Sequence, residues 1–276
     1  MKKIGLALGG GGAKGLAHIP MLEAFDELNV RPQCVTGTSM GAVFGALYAS
    51  GASGEAIREQ MAGLSITERD TIAKLIFNRE ISKWIDFIDP EFGRRGLFRG
   101  ERFLDFLAKV IPAETFEDLV IPLKIVTTDF WQRQQVVIDS GPLLPAIRAS
   151  MSLPFLLTPV VYDGRVLVDG GAVNPVPFDL LDPDCDVTVA IDVMGDKTKP
   201  DDDIPSMFEA VFQTLQIMQK TIIEQKLMRE KPDLLVRVAI KDIRVLDFYK
   251  IDQILQQADK AKRKLKHDLA RLLSKR

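Results

Sequence analysis

Apolar residues fall along this chain in two rhythms. Ile4–Leu8 is a short apolar run that ends in four glycines, and a helical spacing follows from Ala13 to Leu28. Val30–Thr36 repeats the strand pattern and runs into Gly37-Thr38-Ser39-Met40-Gly41. A second helical pattern comes next, with Val43, Ala46 and Leu47 on one face and a stop at Gly51. Strand, glycine loop and helix, twice before Gly51, predict parallel α/β winding. Between 54 and 110 helical spacing dominates, rich in Phe and Ile (Ile76, Phe77, Ile81, Trp84, Ile85, Phe87, Ile88), and this predicts a helical insertion or cap. Strands are predicted over Leu123–Thr127 and Gln134–Asp139, and a short helix over Gly141–Ser150. A hairpin of Pro159–Tyr162 and Arg165–Val168 is turned by Asp163-Gly164. Val187–Val193 is a continuous apolar run, as in a central parallel strand. An acidic loop at 195–203 precedes a long helix over Pro205–Arg229, a last strand over Leu234–Ile240 and a final helix over Ile251–Leu273. No repeat or low-complexity linker divides the series, so a single α/β domain over 1–276 is expected.

Composition narrows function more than fold. The 276 residues are 46% hydrophobic and 27% charged, which suits a folded globular chain. Thirty-six Lys+Arg against 38 Asp+Glu leave a formal charge of -2, so no basic field is available for nucleic acid. Cys34 and Cys185 stand far apart in sequence and form no CxxC, which excludes a disulfide framework or a zinc knuckle. No apolar run is long enough to span a membrane, and the one behind Lys2-Lys3 is too short for a signal-peptide core, so the expected compartment is the cytoplasm. Only two histidines exist, His18 and His267, and they restrict which mechanisms are open.

Gly10-Gly11-Gly12-Ala13-Lys14-Gly15 fits G-x-G-x-x-G between a strand and a helix. A dinucleotide site needs an acid about 20 residues later, but positions 33–37 read Gln-Cys-Val-Thr-Gly. A P-loop needs Gly-Lys-Ser/Thr, and Lys14 is followed by Gly15. The remaining use is an oxyanion hole, in which glycines turn consecutive N–H groups toward one oxygen at a helix N-terminus. Gly37-Thr38-Ser39-Met40-Gly41 is G-x-S-x-G between strand and helix, the setting of a nucleophile elbow. Its base is not expected to be histidine: His267 lies on the polar face of the basic terminal helix, and His18 reads as a packed or partly exposed helical residue. A partly desolvated carboxylate is able to serve instead. Asp169 is the best placed, because it ends the apolar strand Val166–Val168 where Gly170-Gly171 let the backbone bend.

In this order, Gly10–Gly15, Gly37–Gly41 and Asp169–Gly171 resemble the patatin-like phospholipase family, nearest its compact bacterial members. Gly15–Ile19, Arg148–Pro154 and Asn174–Pro177 are also similar to that family. The resemblance covers about residues 3–240. It implies a three-layer α/β/α fold with a mainly parallel central sheet, and a serine acyl hydrolase working through a Ser-Asp dyad. Ser39 would be its nucleophile and Asp169 its base. Amides around Gly10, Gly11 and Gly12 would form its oxyanion hole, with Lys14, Gly15, Gly37, Gly41, Gly170 and Gly171 as motif support. The implied substrate is a fatty-acyl ester or phospholipid, and the chemistry calls for no metal or organic cofactor. Pro20 stands where the family usually has glycine, so a kink or irregular start of the first helix is expected.

Some alternatives stay open. A nucleotide-binding or non-catalytic α/β module would share the glycine loop, and an acyltransferase or thioesterase would share the dyad. Ala258, Ala261, Leu265, Leu269 and Leu272 form a stripe on the C-terminal amphipathic helix at about 249–276. That helix either lies on an anionic bilayer as a peripheral contact or packs on the sheet with a solvated charged back. Met207, Met218 and Met228 on the long helix fit either core filling or the wall of an acyl groove.

Overall fold

A computed structural model describes residues 2–62, 101–154, 156–195 and 207–274. Most of the expected insertion, with its Phe- and Ile-rich stretch, and the acidic loop therefore lie outside the described residues. The strands are β1 (Ile4–Leu8), β2 (Cys34–Thr38), β3 (Leu123–Asp129), β4 (Gln134–Ile138), β5 (Val160–Tyr162), β6 (Arg165–Asp169), β7 (Val187–Asp192) and β8 (Leu234–Arg237). The helices are α1 (His18–Glu27), α2 (Met40–Ala49), α3 (Gly54–Ala62), α4 (Glu101–Val110), α5 (Leu143–Ser150), α6 (Met207–Arg229) and α7 (Ile251–Ser274). All eight strands join one sheet, in which β3, β2, β1, β7 and β8 run parallel.

The sheet is flanked by helices, as expected, and its two faces differ in bulk. Ile4, Leu6 and Leu8 of β1, Val35 of β2 and Val187, Val189 and Ile191 of β7 enter the large core beneath α1, α2 and α7. Ala7, Cys34 and Ala190 point the other way and meet Val176, Phe178, Leu181 and Ile223 of α6. Both faces of β1 are covered, which explains its unbroken apolar run.

One junction in this sheet positions the site. A strand has two edges. Residues 125–129 of β3 pair with antiparallel β4 along one of them. On the other, residues 123–126 pair with parallel β2, and residues 127–129 pair with antiparallel β6. Strands β2 and β6 therefore meet end to end on a single edge of β3, with Thr38 opposite Val126 and Asp169 opposite Thr127.

Several expectations need correction. Strand β2 begins at Cys34, not Val30, because the chain first passes Pro32. The first helix does start irregularly: Gly12–Ala17 is 3₁₀ and the α-helix begins at His18, so Pro20 falls in its first turn. Met218 and Met228 are exposed and fill no core. Distance in sequence misled for the cysteines, whose thiols lie 3.6 Å apart, both free; burial pushes the Cys34 thiol up to about 12. The stripe of α7 is occupied by the protein itself: Ile251, Ile254, Leu255, Ala258, Leu265 and Leu269 are buried. Lys262 bridges Glu23 and Glu27, each at 2.7 Å. Burial alone would raise the Glu23 carboxyl, but Arg58 and Lys262 hold it below the usual range.

Candidate active site

Ser39 stands between β2 and α2 with φ 54 and ψ -122, a conformation that costs about 1–3 kcal/mol and must be held by its surroundings. Its N–H donates to Ser150 Oγ at 2.8 Å, and that hydroxyl donates to the Val126 carbonyl at 2.6 Å. On the helix side, Ala42 N–H donates to the Ser39 carbonyl at 2.9 Å. Gly41 is required by close approach, since a Cβ there would lie 2.0 Å from the Leu8 carbonyl oxygen. The serine is thus raised at the C-terminal end of the sheet and is half-buried.

Asp169 reaches the same point from the opposite direction. Its N–H donates to the Ser152 carbonyl at 3.0 Å, and its own carbonyl accepts from Thr128 Oγ1 at 2.8 Å. Its Oδ1 accepts from Gly171 N–H at 2.7 Å. Asp169 is 4% exposed, and its carboxyl faces the Ser39 hydroxyl closely enough for that hydroxyl to favour its ionised form. Burial pushes its pKa up from 3.8 to about 6, against the hydrogen bonds from Ser39 and Gly171, which favour the ionised form.

The glycine loop closes the third side. Gly10 packs on Ser39, with a would-be Cβ 3.2 Å from the serine Cβ. The Gly9–Gly10 peptide is pinned at both ends. Gly9 carbonyl accepts from His18 Nε2 at 2.8 Å, and Gly10 N–H donates to the Pro175 carbonyl at 2.9 Å. The Gly10 amide is therefore already engaged, whereas those of Gly11 and Gly12 have no acceptor among the described residues. Gly12 has φ 54, and a Cβ there would lie 2.5 Å from Val245. Only glycine suits that position.

The supporting residues surround these three. Gly15 packs on Met40, Gly37 on Gly41 and Ala42, Gly170 on the Val126 carbonyl and Gly171 beneath Gln219. Lys14 is buried and its Nζ donates to the Met194 carbonyl at 2.6 Å.

His18, Ser150 and Asn174 lie in the stretches noted for their resemblance and also border this site, where no local pattern marks them out. His18 is fully buried beside Phe44, and burial lowers its pKa to about 4. It is neutral at pH 7. Since a carbonyl only accepts, the proton sits on Nε2, and Nδ1 has no partner among the described residues. Asn174 Nδ2 donates to Gln135 at 2.8 Å and to Asp179 at 3.0 Å. Lys226 of α6 donates to the Asn174 side chain, the Val176 carbonyl and Asp179, and so ties α6 to the loop that follows Asp169. His267 is exposed beside Asp268, on the surface of the terminal helix as expected. Among the described residues no group of three or more His, Cys, Asp or Glu is arranged to hold a metal ion.

Residues 6–182 match the model of a family described as patatin-like phospholipase. An uncharacterized NTE family protein of Mycobacterium tuberculosis is 34% identical over 199 residues, which is 72% of this chain and 51% of that protein. Neuropathy target esterase sws of Drosophila melanogaster is 33% identical over 181 residues, 64% of this chain and 12% of the fly protein. The chain thus spans about half the length of the mycobacterial relative and far less of the fly one. Among solved structures, VipD from Legionella pneumophila aligns with a TM-score of 0.52 at 15% identity, covering 95% of this chain and 67% of that one. That likeness is one of fold.

Proposed function

Because this chain belongs to the patatin-like phospholipase family, we propose that it hydrolyses fatty-acyl esters of lipids with Ser39 as nucleophile and Asp169 as general base. The observation that carries the reading is the buried Asp169 carboxyl set beside the hydroxyl of a serine held at φ 54. A carboxyl near pKa 6 is mostly ionised at pH 7 yet more basic than an ordinary aspartate, which suits proton abstraction from a hydroxyl.

In the proposed reaction the Ser39 oxygen attacks the ester carbonyl as its proton passes to Asp169. The carbonyl oxygen, now an oxyanion, is stabilised by the free amides of Gly11 and Gly12. Gly10 contributes through the pinned peptide that orients them. Collapse of the tetrahedral intermediate breaks the ester C–O bond, and Asp169 returns the proton to the departing alcohol or lysolipid. Water then attacks the acyl-enzyme, giving its proton to Asp169, and the fatty acid leaves as Ser39 is re-protonated. The engagement of Lys14 with the Met194 carbonyl favours this reading over phosphate binding.

The test is hydrolysis of a p-nitrophenyl ester chain-length series by the wild type beside Ser39→Ala, with fluorophosphonate labelling of both. Turnover and label on the wild type alone are expected. Equal turnover in the two, or no label on the wild type, would overturn the proposal.

A further inference from the structure

Strand β3 does not stop at the level of the site. It continues past Val126 to Asp129, turns through Phe130, Trp131, Gln132 and Arg133, and returns as β4. The turn is braced from within. Asp129 Oδ1 accepts from the N–H groups of Trp131 and Gln132 at 3.1 and 2.9 Å, and its carbonyl accepts from Arg133 N–H at 2.9 Å. The aromatic side chains are not drawn inward. Trp131 is 72% and Phe130 48% exposed, their rings edge to face at 4.9 Å.

The apolar surface extends sideways. Phe130 N–H donates to the Val166 carbonyl, and Val166 pairs with Val161, which is 74% exposed. Phe130, just past the end of β3, thus lies in one row with Val166 of β6 and Val161 of β5. Arg133 closes the β3–β4 turn and Arg165 follows the β5–β6 turn, both exposed and without ion-pair partners among the described residues, and exposed Asp163 opens the hairpin turn beside Arg165. Two exposed aromatics at a turn, with exposed arginines in that turn and the neighbouring one, mark a contact surface. Tryptophan suits the headgroup level of a bilayer, and unpaired arginines suit lipid phosphates.

Phe130 is four residues beyond Val126, the partner of Thr38, so at about 3.3 Å per residue the turn stands ~13 Å past that level, at the end of the sheet that carries Ser39. We infer that the Phe130–Trp131 turn is an interfacial anchor that seats this protein on a phospholipid surface beside its site. The inference rests on the lipid-hydrolase reading, which supplies the reason for a lipid surface at this end of the sheet. The apolar stripe of α7 is buried and does not compete for that role. A second copy docked through the same patch would bring the arginines toward their own counterparts, whereas phosphates complement them.

The experiment compares the wild type with a Phe130→Ala/Trp131→Ala variant. Three readouts are taken: co-sedimentation with phosphatidylcholine vesicles, plain or mixed with phosphatidylglycerol; turnover of a soluble short-chain p-nitrophenyl ester; and oligomeric state by ultracentrifugation. Two exposed side chains are removed, so thermal melting should be unchanged. Vesicle binding is expected to fall roughly tenfold or more, with soluble-ester turnover retained. In a Trp84→Phe background, Trp131 emission should shift to the blue on vesicles. Absent binding by the wild type, undiminished binding by the variant, or conversion of a dimer to a monomer would each overturn the anchor. Loss of soluble-ester turnover in the wild type itself would instead strike the hydrolase reading, while variant-sensitive vesicle binding would still uphold the anchor.

Discussion

Replacing Asp169 by Asn should abolish turnover and, at neutral pH, make the protein more stable. Folding moves the carboxyl from 3.8 to about 6, chiefly by burial. The folded state therefore binds this proton more tightly than the unfolded chain does. The ionised carboxylate is a liability that is fully present above about pH 6 and gone below 3.8. About two pH units correspond to ~3 kcal/mol, an upper figure for the strain this group adds at pH 7. Asparagine keeps an Oδ1 acceptor for Gly171 N–H and cannot ionise. Thermal melts of the two proteins from pH 4 to pH 8 should diverge as pH rises through 6, with Asp169→Asn melting several degrees higher at pH 8 and coinciding with the wild type near pH 4. Wild-type kcat should fall as pH drops through about 6. A variant less stable than the wild type at pH 8, or a stability gap independent of pH, would refute the burial argument.

Three further outcomes are expected. His18→Ala frees the Gly9 carbonyl and loosens the Gly11 and Gly12 amides, so kcat should fall about 10²-fold with KM little changed, and His18→Gln should recover much of it; full kcat in His18→Ala would detach the histidine from the loop. Ser150→Ala leaves the Ser39 N–H and the Val126 carbonyl unpartnered, about 1–3 kcal/mol for each buried group, visible as slower fluorophosphonate labelling and a lower melting temperature. Leu265→Ala should cost about 2–5 kcal/mol in urea unfolding because Leu265 is fully buried, while vesicle binding stays unchanged.

The parts of this protein legible in its sequence are those with a local physical signature. Strands β1 and β7 are readable because both faces are buried, and Ser39 because an elbow needs glycine on each side. Asp169 is readable only as an acid at a strand end. Its approach to Ser39 depends on β6 turning antiparallel onto the edge that β2 vacates, a pairing set by residues far apart in the chain. His18 illustrates a different gap: a buried histidine on a helix looks like any other until its acceptor is seen. Nor does the spacing of Cys34 and Cys185 reveal that β2 and the loop before β7 bring their thiols together.

The shared edge of β3 also bears on how the protein comes into being. Ser39 and Asp169 are 130 residues apart in sequence and become neighbours only when β6 docks behind β2. If Ser39 and Asp169 act as proposed, a chain emerging from the ribosome makes its serine early and its base late, so the unfinished protein would carry an elbow with nothing to deprotonate it. Competence then arrives with the last pairings along one strand. Acquisition of activity during refolding would report the closing of the sheet itself.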